Sequence, residues 1–141
     1  MLKTEVFLDT AYAIALSSSK DKHHEQALFL AGELESDHTK LITTRAVMLE
    51  IGNALSKQRY RIAAVQLLES LEQDRTVEII PLSEELYKAG FELYQESEDK
   101  EWGITDCISF VVMRERGLRE ALTTDEDFEQ AGFIALLRDA P

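Results

Sequence analysis

The chain has 141 residues, 45% of them apolar and 30% charged, with a formal net charge of −12. This length predicts one domain over residues 1–141 with a substantial core, and the composition is that of an ordinary soluble globular protein. The acidic balance excludes loose, field-driven attachment to nucleic acid or anionic membrane; it leaves a nucleic-acid enzyme only if metal ions and a local basic rim offset its acidic centre, or a protein with a basic partner. No uncharged run approaches the roughly 20 residues of a membrane-spanning helix. The apolar start is interrupted by Lys3, Glu5 and Asp9 and lacks the continuous apolar core of a signal peptide. The lone Cys107 can form no internal disulfide, which fits a reducing cytoplasm.

Residues 5–9 (EVFLD) read as a buried strand that delivers Asp9 at its carboxyl end, where ligands bind in open α/β sheets. Thr10 is expected to cap the following helix, with Tyr12, Ala13 and Leu16 on its apolar side. Residues 17–22 (SSSKDK) form a polar loop without the glycine spacing of a phosphate cradle. His23 and His24 open the next helix; neighbours on a helix point about 100° apart, and no further His or Cys stands at ligand spacing, so both read as surface histidines. Ala27, Leu28, Ala31 and Leu34 are assigned to the inner face.

A second strand is expected over residues 41–44 (LITT), followed by a helix over residues 45–57 with Val47, Met48, Ile51, Ala54 and Leu55 apolar. Glu50 lies at the margin of that stripe, where burial without a partner is costly, so it must reach solvent or meet a cation. Asn53, one turn on, is a candidate to orient it. Lys57, Arg59 and Arg61 bracket Tyr60, a set able to hold phosphate and stack a base, though such clusters are also ordinary solvated connections. Residues 62–71 continue as an amphipathic helix through Val65, Leu68 and Leu71, making an apolar hairpin suited to a dimer or partner surface.

Val77 to Ile80 form the third strand, ended by Pro81. Ser83 and Glu85 start a helix with Leu86, Ala89, Leu93 and Tyr94 inward; residues 96–101 (ESEDKE) are a solvated loop, and Trp102 packs onto the core. In residues 104–112, Ile104, Cys107, Ile108, Val111 and Val112 form a core-facing helical stripe. Thr105 is the expected N-cap, and Asp106 sits in the first turn, where the helix dipole favours negative charge by about 0.3–1 kcal/mol. Gly117 stops this helix. Residues 120–124 (EALTT) form a short strand ending at Asp125, Phe128 begins another apolar face, residues 133–137 (FIALL) form the last strand, and residues 139–141 are a tail.

This alternation predicts an α/β fold with a mainly parallel sheet covered on both faces. Because parallel strands point their carboxyl ends one way, Asp9, Glu50, Asp106 and Asp125 can gather at one end. Two like charges ~4 Å apart repel by about 1 kcal/mol in water and about 4 at an effective dielectric of 20, so such a cluster needs protons or cations. Oxygen ligands without His or Cys select a hard cation, Mg²⁺ or Mn²⁺. A phosphoaspartate receiver is excluded because Pro81, not Asp, follows the third strand. A haloacid-dehalogenase-like phosphatase is excluded because Ala11 stands two positions after Asp9, and the GKS/T loop of a nucleotidase is missing.

Asp9-Thr10, Glu50 with Asn53 in an apolar helix, Thr105-Asp106-Cys107, and Thr124-Asp125 with Phe128 together resemble the acidic signature of PIN-domain ribonucleases, most closely the VapC-type toxins of bacterial toxin-antitoxin pairs. The resemblance covers nearly the whole chain and is most specific between Trp102 and Phe133. It implies a three-layer α/β/α fold with a central, mainly parallel sheet of four to five strands. It also implies Mg²⁺- or Mn²⁺-dependent endoribonuclease activity on an RNA substrate, a homodimer, and neutralisation by a cognate antitoxin. Carried over by position, Asp9, Glu50, Asp106 and Asp125 become metal ligands acting on an activated water, with Thr10, Asn53 and Thr105 in support; Lys57, Arg59, Tyr60 and Arg61 remain the candidate RNA contact. Asp127, two residues after Asp125, departs from many relatives and competes for the place of the fourth acid. The alternative is a PIN-like module without catalysis that acts by binding a basic partner.

Overall fold

The architecture follows from five short strands, of which the central one is buried almost throughout while the two at the edges keep partly exposed residues. The computed structural model describes residues 4–138; Lys3 and the tail expected over residues 139–141 lie outside them. Strands β1 (Glu5–Leu8), β2 (Lys40–Thr44), β3 (Val77–Ile80), β4 (Glu120–Leu122) and β5 (Ile134–Ala135) form one sheet in the order β3-β2-β1-β4-β5. Every pairing is parallel, with Phe7 of β1 opposite Ile42 on one side and Ala121 on the other. Parallel strands need crossovers, and helices supply them on both faces. These are α1 (Thr10–Ser17), α2 (His24–Ser36), α3 (Arg45–Ala54), α4 (Gln58–Gln73), α5 (Glu84–Glu96), α6 (Ile104–Arg116) and α7 (Glu126–Gln130). The first four pack among themselves around α1, while α6 packs against α5 and α7.

The chain leaves central β1 toward β2 and later returns to its other side as β4. Between β1 and β4 lies the switch in strand order, the place where open α/β sheets bind ligands. Behind it is an aromatic cluster: Phe110 lies edge-on to Trp102 (5.0 Å, 77°) and to Phe128 (4.9 Å, 86°), and Phe128 reaches Phe7 at 6.3 Å. Trp102 thus packs down as expected, with its indole N–H donating to Gln130 Oε1 at 3.1 Å.

Several expectations shift by part of a turn. The inner face of α2 is Ala27, Leu30 and Leu34, while Leu28 is 50% exposed. On α4 the buried positions are Ala64 and Leu71, with Val65 turned outward. Tyr94 is 46% exposed and stacks on Phe91 rather than facing the core. At Ala27 beside Leu28 and at Ala64 beside Val65, the small residue takes the tightly packed position and the larger one covers surface. Helix α3 ends at Ala54, leaving Lys57 as the N-cap of α4, and the last strand spans two residues rather than five. Gly117, at φ 69°, ends α6 as expected, since only glycine enters this region without steric cost.

Helices α5 and α6 approach closely at Gly90. A Cβ built there would lie 2.5 Å from Ile108 Cγ1 and 3.3 Å from the Ile108 backbone. Gly90→Ala is expected to destabilise the fold by about 1–3 kcal/mol despite its better helix propensity; denaturant titration against wild type checks this, and unchanged stability would mean the helices separate without cost.

Candidate functional site

Asp9 follows β1 and is the N-cap of α1, but its side chain makes no capping bond. It turns instead into the protein, 5% exposed, where Thr123 Oγ1 donates to its Oδ2 at 2.7 Å. Its Oδ1 is buried with no hydrogen-bond partner among the described residues. Thr10 is therefore the first residue of α1, not its cap, and its hydroxyl is free to donate to Glu50 Oε1 across to α3. That bond fixes Glu50, half-buried, beside Asp9, and it makes no ion pair with a cationic side chain among the described residues.

Asp106 is the third residue of α6, whose N-cap is Gly103 rather than Thr105. Its Oδ2 accepts from the Gly103 backbone N–H at 3.3 Å, the return half of a capping box, which orients the carboxylate. Thr105 contributes only its carbonyl, to Ser109 Oγ at 3.1 Å. Asp125 caps short α7, accepting from the Asp127 N–H at 2.9 Å. Its own N–H donates to Thr123 Oγ1 at 3.0 Å. Thr123 is the residue that sequence reasoning missed: one buried hydroxyl holds both Asp9 and the loop carrying Asp125. The available signal was a Thr two positions before Asp, the spacing of a hydroxyl-backbone turn.

Asp106, Asp125 and Asp127 offer oxygens that all lie within 4.8 Å of one another. Asp9 and Glu50 stand outside this tight group but are electrostatically joined to it. Burial first, then the charges of Asp9 and Asp125, push Asp106 from 3.8 up to about 7. Burial likewise raises Asp9 to about 7, with Glu50 and Asp125 adding to it against the lowering by Thr123. Burial and then the neighbouring Asp125 also raise Asp127. Asn53 is exposed and makes no hydrogen bond to Glu50 among the described residues. His23 and His24 are half-buried, and the His24 Nδ1 lies 2.8 Å from the Ala15 carbonyl. Lys57, Arg59, Tyr60 and Arg61 are exposed at the start of α4, with the Arg59 guanidinium 4.8 Å over the Tyr60 ring.

The donor set fits a hard divalent cation. It is all carboxylate, it includes a buried unpartnered oxygen, and its members resist ionising together. A parallel α/β sheet with acids converging at its switch point defines the class, and the chain belongs to the PIN domain family, which it matches over residues 6–134. It is 27% identical over 129 residues to the 23S rRNA-specific endonuclease VapC20 of two Mycobacterium tuberculosis strains, covering 92% of this chain and 95% of that protein. The crystal structure of M. tuberculosis VapC20, a sarcin-ricin loop cleaving toxin, superposes with a TM-score of 0.80 at 25% identity over 92% of this chain and 96% of the other. Rickettsia felis VapBC2, solved with a promoter DNA fragment, shares the fold at a TM-score of 0.66 and 16% identity, covering 93% and 96%. Neisseria gonorrhoeae FitAcB does so at 0.65 and 17%, covering 92% and 94%.

Carboxyls raised to about 7 bind more protons folded than unfolded between pH 4 and 7. Their contribution to stability is therefore full below about pH 4 and lost as pH rises through about 7. Metal-free protein is expected to lose stability across that interval through these groups. Asp9→Asn should flatten the loss and raise the melting temperature at pH 8 in EDTA, since an amide keeps the Thr123 bond without the charge. Thermal melts from pH 4 to 8 check this; a variant less stable than wild type at pH 8 would refute the charge crowding.

Proposed function

We propose that the chain is a metal-dependent endoribonuclease that hydrolyses RNA phosphodiesters, as one domain and as the toxin of a toxin-antitoxin pair. The observation that carries this is the convergence of acids at the switch point, on a PIN domain chain whose relative over 92% of its length is a 23S rRNA-specific endonuclease. Asp9, Glu50, Asp106 and Asp125 are assigned as metal ligands for Mg²⁺ or Mn²⁺, with Asp127 a competing or additional ligand because its oxygen lies in the same group as those of Asp106 and Asp125. Thr10 and Thr123 hold Glu50 and Asp9 in place by their hydroxyls. A bound divalent ion supplies Lewis acidity toward a phosphodiester oxygen and lowers the pKa of water. The protein's part is to gather the oxygens, exclude competing water behind the buried Asp9, and keep the carboxylates from swinging apart. Lys57, Arg59, Tyr60 and Arg61 are assigned to RNA. In support, α4 must return the chain to the start of β3, so its first turn lies toward the carboxyl ends of the strands.

An antitoxin partner is supported by the VapBC2 neighbour and by a cleft of about 540 Å³ between α1, α2 and α4, lined by Leu16, Leu34, Leu67 and Leu71 among others. A homodimer is supported by apolar side chains left outward on the α3–α4 hairpin, Leu49, Ile62 and Val65, with Ile62 76% exposed. No helix among the described residues is long and apolar enough to cross a membrane, in keeping with a cytoplasmic toxin. A catalytically inert binding module is the weaker reading: it would have no use for carboxylates held close at a cost in stability.

Purified protein free of antitoxin is expected to cut RNA in Mn²⁺ or Mg²⁺ and not in EDTA. Asp106→Asn should lower the rate by about 100-fold or more, the scale for losing a group that stabilises transition-state charge. Full cutting by Asp106→Asn, or by wild type in EDTA, rejects the mechanism. Asp125→Asn beside Asp127→Asn assigns the fourth acid: the ligand is the one whose loss matches Asp106→Asn and whose Mn²⁺-induced rise in melting temperature disappears.

A further inference from the structure

Beside the acidic centre lies a cleft of about 590 Å³, lined by Asp21, Lys22, His23, Gln26, Thr124, Leu137 and Arg138. Thr124 belongs to the same loop as Thr123 and Asp125, so the cleft begins one residue from a site carboxylate. Arg138 is held there from two sides: its Nε donates to Glu129 Oε1 at 2.9 Å and its Nη1 to the Thr124 carbonyl at 3.3 Å. Its remaining N–H groups are left for another acceptor. Lys22 is exposed and makes no ion pair among the described residues, and His23 keeps its ring free of any such partner. The one acid in the lining, Asp21, is turned to backbone, accepting from the His23 N–H at 2.8 Å. Gln26 and Thr124 add uncharged polar groups. With Asp21 in the lining and Glu129 on Arg138, the charges around the cleft balance; what sets it apart is a lysine without an ion pair among the described residues beside an arginine held in place with N–H groups to spare.

We propose that this cleft is a phosphate subsite of the RNA-binding track, in which Lys22 and Arg138 hold a backbone phosphate neighbouring the one at the acidic centre. His23, Gln26 and Thr124 are placed to hydrogen-bond the same phosphate or its ribose. The proposal rests on the nuclease reading for the position of the scissile phosphate, and on this cleft alone for its residues. The subsite reads backbone, not base: it adds affinity and sets register, and sequence preference must come from elsewhere.

The test uses the full-length protein and a fluorescent single-stranded RNA oligonucleotide, with binding measured in EDTA and cleavage in Mn²⁺. Lys22→Ala touches no structural contact, and Lys22→Glu inverts its charge. Arg138→Ala is read beside Arg138→Lys, which keeps charge but not the fork. Lys100→Ala, whose ammonium pairs with Asp99 in the loop before Trp102, is the control. We expect Lys22→Ala to weaken binding about 3- to 10-fold and Lys22→Glu further, with KM rising in parallel, kcat within about 2-fold, and the slope of log affinity against log salt falling by ~0.7, the value for one single-strand phosphate contact. Lys22→Arg should restore binding. Unchanged affinity and salt slope in both Lys22 variants overturns the subsite. So does a fall in kcat at constant KM, which would make Arg138 a brace for the Thr124 loop. Unchanged RNA affinity with weakened binding to the antitoxin would assign the cleft to protein. If wild type binds RNA through Lys22 but cuts none in any metal, the nuclease reading fails and the subsite stands.

Discussion

The molecule is organised around negative charge that its surroundings solvate poorly. Asp9 is buried with one oxygen unpartnered among the described residues, and three more aspartates and a glutamate raise the potential it experiences or share it. At ~4 Å and an effective dielectric of 20 each pair of ionised carboxylates costs about 4 kcal/mol. A fold that is stable overall by some 5–15 kcal/mol cannot hold several such pairs without help. Protons relieve the crowding at the expense of ligand strength. A divalent cation relieves it while leaving the oxygens ionised, so the arrangement favours metal over any neutral partner.

The covalent chain brings these acids together through topology, and side-chain packing keeps them there. Adjacent parallel β1 and β4 set Asp9 and the Asp125 loop side by side, and the Asp9 N–H donates to the Leu122 carbonyl at 3.3 Å. The aromatic cluster lies directly behind: Phe7 is two residues before Asp9, Phe110 four after Asp106, and Phe128 three after Asp125. Edge-to-face contacts add about 0.5–1.5 kcal/mol each to area burial. Each ring fixes the backbone next to one carboxylate, and rigid placement is what makes crowded charge usable for binding an ion rather than a reason for the pocket to open.

Short apolar runs such as Val6-Phe7-Leu8, bounded by polar residues and alternating with helical stripes, made the strands and the parallel sheet legible. The sequence put forward Asp9, Glu50, Asp106 and Asp125 by type and order; the structure gathers two of these, Asp106 and Asp125, most tightly together with Asp127. Sequence reading failed where a residue's identity permits two local roles. Thr10, Thr105 and Asp9 all suit an N-cap, and only tertiary contacts decide that Thr10 points to Glu50 and Gly103 caps α6. Thr123 looked like one more strand residue, although its hydroxyl binds two partners at once. Helix faces were misjudged at Leu28 and Val65, where close packing at neighbouring Ala27 and Ala64 selects small side chains, and at Tyr94, whose ring stacks on Phe91 instead.

The overall acidity bears on how such a chain meets a polyanion. At physiological salt the Debye length is about 8 Å, so of the −12 charge an RNA strand feels chiefly the part lying within that distance of it, and the acidic balance opposes its approach most at low salt. Association then has to be carried by cations placed within that length of the strand. The sheet order separates two such groups: Arg59 and Arg61 lie beyond α3, which follows β2 on one side of β1, whereas Lys22 and Arg138 lie by Thr124, which follows β4 on the other. On the proposed function, a strand running across the carboxyl ends of the sheet from one group to the other would pass over Asp9, Glu50, Asp106 and Asp125. The same acidity that slows encounter with RNA speeds encounter with a basic protein segment, since steering acts on rate through the long-range field while holding acts through contacts. An inhibitor carrying positive charge would reach this centre faster than the substrate does, a kinetic bias suited to a toxin that must remain silent while its partner is present.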